Sequence, residues 1–164
     1  MLIALPLAAF TKGRLKEAVL DFVLIFGFIG GILGTVGAAH NYNSYPVLSL
    51  DNFVGAITHC IAAFSSLFIG ITRMASLKIK NMWISIAILL GVTTLAQIAN
   101  LTIPYNYMFL EGDEDTPYSI VTMISNGNKI LYKFIVIGLF VLLIAVFYTI
   151  KIINDKKNNK IIFT

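Results

Sequence analysis

Charge is scarce in this 164-residue chain. Lys and Arg number 12 and Asp and Glu 8, so 12% of the residues are charged, against roughly 25% in an ordinary soluble domain. That is too little to coat a globule of this size, which excludes a water-soluble single domain. Cysteine is scarcer still: Cys60 stands alone, which excludes an intramolecular disulfide and any multi-cysteine metal site. The two histidines, His40 and His59, have no ligand-spaced partners, so no metal and no cofactor is expected. The acidic run Glu111-Gly112-Asp113-Glu114-Asp115 lacks the twelve-residue order of a calcium loop and reads as a solvated turn. The net charge of +4 carries no nucleic-acid signature, because the basic residues sit in short blocks between apolar runs and make no aromatic-interleaved face.

What the chain has in quantity is apolar sequence, 58% of it, with a mean hydropathy of +0.86. Four segments, 17–39, 52–72, 81–103 and 130–151, meet the bilayer requirement of about 20 mainly apolar residues at about 1.5 Å rise each. A fifth stretch, 1–10, is too short to cross and contains Pro6. The expected fold is therefore an all-α polytopic membrane helical bundle, with four transmembrane helices and a short N-terminal apolar half-helix in a single domain, 1–164. Lys12, Arg14 and Lys16 follow the first apolar stretch instead of preceding it, so it does not read as a secretory signal.

Ten of the twelve basic residues fall on one side of this four-helix arrangement: Lys12, Arg14 and Lys16, then Arg73, Lys78 and Lys80, then Lys151, Lys156, Lys157 and Lys160. Since cytoplasmic connections hold the Lys and Arg excess, the expectation is a multi-pass cell-membrane protein with both termini cytoplasmic. Tyr42, Tyr45, Trp83, Tyr105 and Tyr107 lie where aromatic belts mark the boundaries. The partner this implies is membrane lipid, and a homo-oligomer or a partner membrane subunit stays open. Gly27/Gly31 and Gly30/Gly34 make overlapping small-xxx-small pairs, which favour intramolecular packing over a dedicated dimer seam.

Polar residues inside apolar helices carry the functional signal. His59 lies about seven residues, roughly 10 Å, below the outer boundary, and Asn100 within about one turn of it. Gly55, His59, Ala62 and Ser66 share one helix face, and Thr93, Gln97 and Asn100 make a second polar stripe. These faces are expected to meet each other or to line a cavity. From the spacings alone two readings stand side by side, a functional cavity and a histidine that merely glues helices. As a catalyst His59 would be a general base. Neighbouring Thr58 and Cys60 point about 100° away and make poor nucleophile partners for it. Cys60 is expected to be a small core residue, and Asp21 an end-of-helix residue that snorkels or pairs with Lys16.

The stretch Asn100-Leu-Thr-Ile-Pro-Tyr-Asn106-Tyr107-Met108-Phe109-Leu110 resembles the N-x5-N-Y-M-[FY]-L motif of the YwaF-type bacterial integral membrane proteins, which are related to a eukaryotic ether-phospholipid acyltransferase. Leu5-Pro6-Leu7 resembles that family's L-P-L element, and His59 its membrane histidine. The resemblance implies acyl transfer between lipids, with His59 as catalytic base and Asn100, Asn106, Gln97, Ser66 and Tyr107 as substrate-binding or supporting residues. Ala8, Ala9 and Phe10 follow L-P-L where the family places its cysteine, and the family's further helices ahead of L-P-L are not in the chain. The reading is thus of a shortened or inactive acyltransferase-like member. The alternative is a non-enzymatic module, such as a solute-binding or transporter subunit, with a polar cavity between its helices.

Overall fold

The computed structural model describes residues 3–36, 46, 48–103, 105–113, 116 and 118–161, and these are helical with short connections. In lipid every backbone N–H and C=O must be satisfied within its own segment, and the α-helix does this for a lone apolar stretch. The helices are α1 (Ala4–Phe10), α2 (Gly13–Val36), α3 (Leu50–Ile71), α4 (Met82–Thr102), α5 (Ser119–Ser125) and α6 (Lys129–Ile161). Single 3₁₀ turns at Ile79–Asn81 and Tyr107–Phe109 lie between them. His40, Tyr42, Tyr45, Pro104, Glu114 and Asp115 lie outside the described residues, as does 37–39, the end of the first predicted span.

Among the described residues three helices are long and apolar enough to cross a bilayer: Asn52–Ile71, Ile79–Thr102 and Lys129–Asn158. They coincide with the second, third and fourth predicted spans; α2, a 24-residue helix over most of the first, is not among these three. The seven residues of α1 correspond to about 10 Å of helix, a third of a hydrocarbon core. α6 runs ten residues past the predicted end at 151. There a Lys151–Asp155 pair one turn apart supports a helix whose exposed, polar sequence no longer needs lipid.

Local chemistry sets the boundaries. Ser49 caps α3 by accepting the Asn52 N–H at 3.3 Å. Asn126 (φ 47°) and Gly127 (φ 76°), both left-handed, end α5, and the Asn128 side chain caps α6 by accepting the N–H groups of Ile130 and Leu131 at 3.0 and 3.1 Å. The hydroxyls of Thr58, Thr72, Thr94 and Thr102 donate back to the carbonyl four residues earlier, so these polar side chains are satisfied within their own helices.

The chain divides into two compact units, Met1–Ser85 with Ile144–Thr164, and Ile86–Leu143. In the first, α2 packs along α3 through its glycines. A Cβ on Gly27 would meet the Ala62 carbonyl oxygen at 2.7 Å, one on Gly31 would collide with Ala63, and one on Gly34 with the His59 ring. The small-residue face is therefore filled by the neighbouring helix of the same chain, the close approach such spacing permits. In the second unit Leu110, Val121, Tyr132 and Val136 form a buried cluster, flanked by Ala96, Met108, Tyr118 and Phe140.

Candidate functional site

His59 sits half-buried on the face of α3 that meets α2. Its Nδ1 lies 2.8 Å from the Gly30 carbonyl oxygen. A carbonyl can only accept, so Nδ1 carries a proton, and in the neutral ring Nε2 is the atom with the free lone pair. The ring occupies the space that Gly34 leaves by lacking a Cβ. Two residues of the apolar α2, Gly30 and Gly34, thus fix the imidazole in one orientation with Nδ1 protonated, as a backbone carbonyl does for many functional histidines. One turn and two turns further along the same face, Ala62 meets Gly27 and Ser66 donates to the Leu24 carbonyl at 2.7 Å. Ser66 is fully buried and bonded, so its role here is to join two helices. Cys60, expected in the core, is exposed, because the 100° step from His59 turns it away from α2.

Of the second polar stripe, Gln97 and Asn100 find their bonds within the second unit, whereas the Thr93 hydroxyl is buried without a hydrogen-bond partner among the described residues. Asn100 grips both backbone groups of one residue: its Oδ1 accepts the Tyr107 N–H at 2.7 Å and its Nδ2 donates to the Tyr107 carbonyl at 3.1 Å. Asn106 repeats the arrangement, accepting the Glu111 N–H at 2.8 Å and donating to the Gly112 carbonyl at 2.9 Å. The N-x5-N spacing is thus a pair of backbone clamps, and the turn they hold contains two successive left-handed residues, Met108 (φ 60°) and Phe109 (φ 55°). Non-glycine residues persist there only where the surroundings over-determine them. Leu110 anchors this turn at 1% exposure, and Phe109 stacks on Tyr118 with ring centroids 5.3 Å apart. Burial pushes the Tyr118 phenol above its ordinary value. Gln97 and Lys133 both donate to Glu111 Oε1, at 2.9 and 2.7 Å, and these bonds, Lys133's first, hold the Glu111 carboxyl below the usual carboxylate range. Tyr107 is exposed, and what the turn uses of it is its backbone.

A third constellation was missed by reading the sequence. Asp21, expected to snorkel or pair with Lys16, is fully buried. Its Oδ1 accepts the N–H groups of Ser76 and Leu77 at 2.7 and 2.9 Å, and its Oδ2 accepts the Tyr148 hydroxyl at 3.0 Å and Asn81 Nδ2 at 3.4 Å. Ser85 lies 2.9 Å from the same hydroxyl and donates to the Ala18 carbonyl at 3.2 Å. Beside it, Glu17 accepts from Lys78 at 2.9 Å and from Asn81 at 3.2 Å. The start of α2, the α3–α4 connection and the last turns of the apolar part of α6 are thereby tied at one level. Asp21 reaches no solvent, so the cluster is a clamp built from a carboxyl group whose hydrogen-bond partners are all donors. The signal for it was an acid one turn inside an apolar helix, in a chain whose later helices also carry Asn81, Ser85 and Tyr148 near the same end.

Among the described residues no group of three or more His, Cys, Asp or Glu side chains is placed to hold a metal ion. The sequence profile of the TMEM164 family matches residues 1–151. No curated protein and no solved structure matches the chain. With 151 of its 164 residues covered, the chain belongs to the TMEM164 family of membrane proteins.

Proposed function

From that membership we propose an acyltransferase-like protein acting on lipid acyl chains, with His59 as the general base. The observation that carries the reading is the fixed imidazole. Nδ1–H is held by the Gly30 carbonyl inside an apolar helix pair, and Nε2 is left as the basic atom. A neutral imidazole held in this way suits proton abstraction from a hydroxyl near neutral pH. Leu5-Pro6-Leu7 is followed by Ala8, Ala9 and Phe10, which have no nucleophilic atom, so the reading contains no acyl-enzyme on that element. Instead the hydroxyl of an acceptor lysophospholipid loses its proton to Nε2 and its oxygen attacks the ester carbonyl of a donor lipid. The new ester forms as the old one breaks, and the departing donor oxygen takes the proton back from the imidazolium. In the same reading Ser66 supports this site through the α2–α3 pairing it holds, and Asn100, Asn106, Gln97 and Tyr107 act within the second unit, through the loop they clamp.

The same reading takes α2 as a fourth span, with both termini cytoplasmic. Its support is the length of α2 and the Asp21 clamp, which joins the start of that helix to the basic connection between α3 and α4. The decisive experiment reconstitutes the chain in phosphatidylcholine vesicles with a lyso-ether phospholipid and follows isotopically marked acyl chains by mass spectrometry. Transfer by the wild type and none by His59→Gln, with equal thermal stability, is the expected result. Gln keeps a donor for the Gly30 carbonyl but is not basic, so undiminished transfer in that variant would dismiss His59 as the base.

A further inference from the structure

We propose that the first unit binds the phosphate-bearing headgroup of an anionic lipid in a basic cavity at the level of the Asp21 clamp. The cavity, about 610 Å³, is lined by Arg73, Lys78 and Lys151 with Asn158, and also by the apolar Leu24 and Ile69. Lys78 is met by Glu17 and Lys151 by Asp155, whereas Arg73 has no carboxylate partner among the described residues. Arg73 is exposed and stands in the left-handed region at φ 55°, directly after α3. Its backbone N–H donates to the Gly70 carbonyl, which fixes the start of its side chain at the cavity. The carboxylates around the cavity are all engaged: Glu17 by Lys78, Asp155 by Lys151, and Asp21 by two backbone amides and a hydroxyl.

The chemistry this arrangement recognises is a phosphate. A planar guanidinium supplies paired donors to two phosphate oxygens, and the two ammonium groups and the Asn158 amide add donors without geometric constraint. Basic pockets between membrane helices, at the face that carries the Lys and Arg excess, suit anionic headgroups in this way. The apolar wall of Leu24 and Ile69 favours a phosphate that arrives with glycerol and acyl carbons attached over free inorganic phosphate. The inference concerns a site of its own and does not rest on acyl transfer or on His59.

Native mass spectrometry of the detergent-solubilised chain with phosphatidylglycerol or phosphatidylcholine tests it. Phosphatidylglycerol should bind more tightly than phosphatidylcholine. Arg73→Gln should weaken that binding about fivefold, and adding Lys151→Gln should weaken it about fivefold again. Arg73→Lys keeps the charge and should retain most of the preference, which guards against a misfolded Gln variant. Lys12→Gln with Lys16→Gln removes as much charge away from the cavity and should leave the preference intact. Equal binding of the two lipids, or an equal loss in the Lys12/Lys16 variant, overturns the proposal in favour of diffuse surface attraction. Inorganic phosphate that displaces phosphatidylglycerol at matched concentration supports the anion site and assigns it to a soluble phosphate; failure to displace assigns it to the lipid headgroup.

Discussion

Gly34→Ala isolates the packing that orients His59. The added Cβ would collide with the imidazole, and the ring can yield only by leaving its bond to the Gly30 carbonyl. Overpacking of this kind costs about 1–3 kcal/mol. Loss of the His59–Gly30 bond as the ring moves costs about 1 kcal/mol more, and the gain in helix propensity returns up to about 1 kcal/mol. The net loss is about 2 kcal/mol. The comparison is Gly30→Ala, one turn away in the same helix, where a Cβ meets nothing within 4 Å and only the propensity gain applies. Thermal unfolding of both variants in one detergent should place the Gly34→Ala midpoint roughly 4–8 °C below the wild type and the Gly30→Ala midpoint at or above it. Any acyl transfer should fall in Gly34→Ala and persist in Gly30→Ala. Equal midpoints for the two variants would refute the claim that α2 seats the histidine through that glycine.

Three other perturbations follow from the remaining contacts. Asp21→Ala strands the amides of Ser76 and Leu77 and the Tyr148 hydroxyl without an acceptor, and should cost about 3–5 kcal/mol; Asp21→Asn, which keeps one acceptor oxygen, should cost distinctly less in a denaturation series. Asn100→Ala releases both backbone groups of Tyr107, and should raise amide hydrogen exchange over 105–112 while exchange around His59 stays unchanged. Glu111 has a lowered pKa, so its contribution is complete above the ordinary carboxylate range and is lost as pH falls through the lowered value. Since the side chain is one-third exposed, the effect stays below about 1 kcal/mol: Glu111→Gln should lower the thermal midpoint slightly at pH 7, and the gap to wild type should close as the pH falls through the lowered value. A gap that persists at acid pH would remove the ion pair from the explanation.

The parts of the fold legible in the sequence are those set by long uniform runs. Apolar length and basic blocks located the helices because lipid imposes the same requirement on every residue of a span. The glycine spacing of α2 likewise announced a close helix contact, and the structure fits Gly27, Gly31 and Gly34 against Ala62, Ala63 and His59, a face of α3 expected from its spacing to meet the polar stripe of α4 or to line a cavity with it. What periodicity does not encode is the identity of the partner. His59 and Asn100 read alike, as polar residues on neighbouring faces, yet one bonds a helix carbonyl and the other a loop peptide seven residues ahead in its own chain. The Asn106 clamp was illegible for the same reason, because it depends on two left-handed residues, Met108 and Phe109, in types that seldom adopt that conformation. Asp21 shows the limit most directly. A carboxylate one turn inside an apolar helix is compatible with snorkelling and with full burial, and the difference is decided by backbone amides at Ser76 and Leu77, which carry no side-chain signature at all. Side-chain types therefore mark where a polar group must find a partner, while the choice of partner belongs to loop geometry more than fifty residues away.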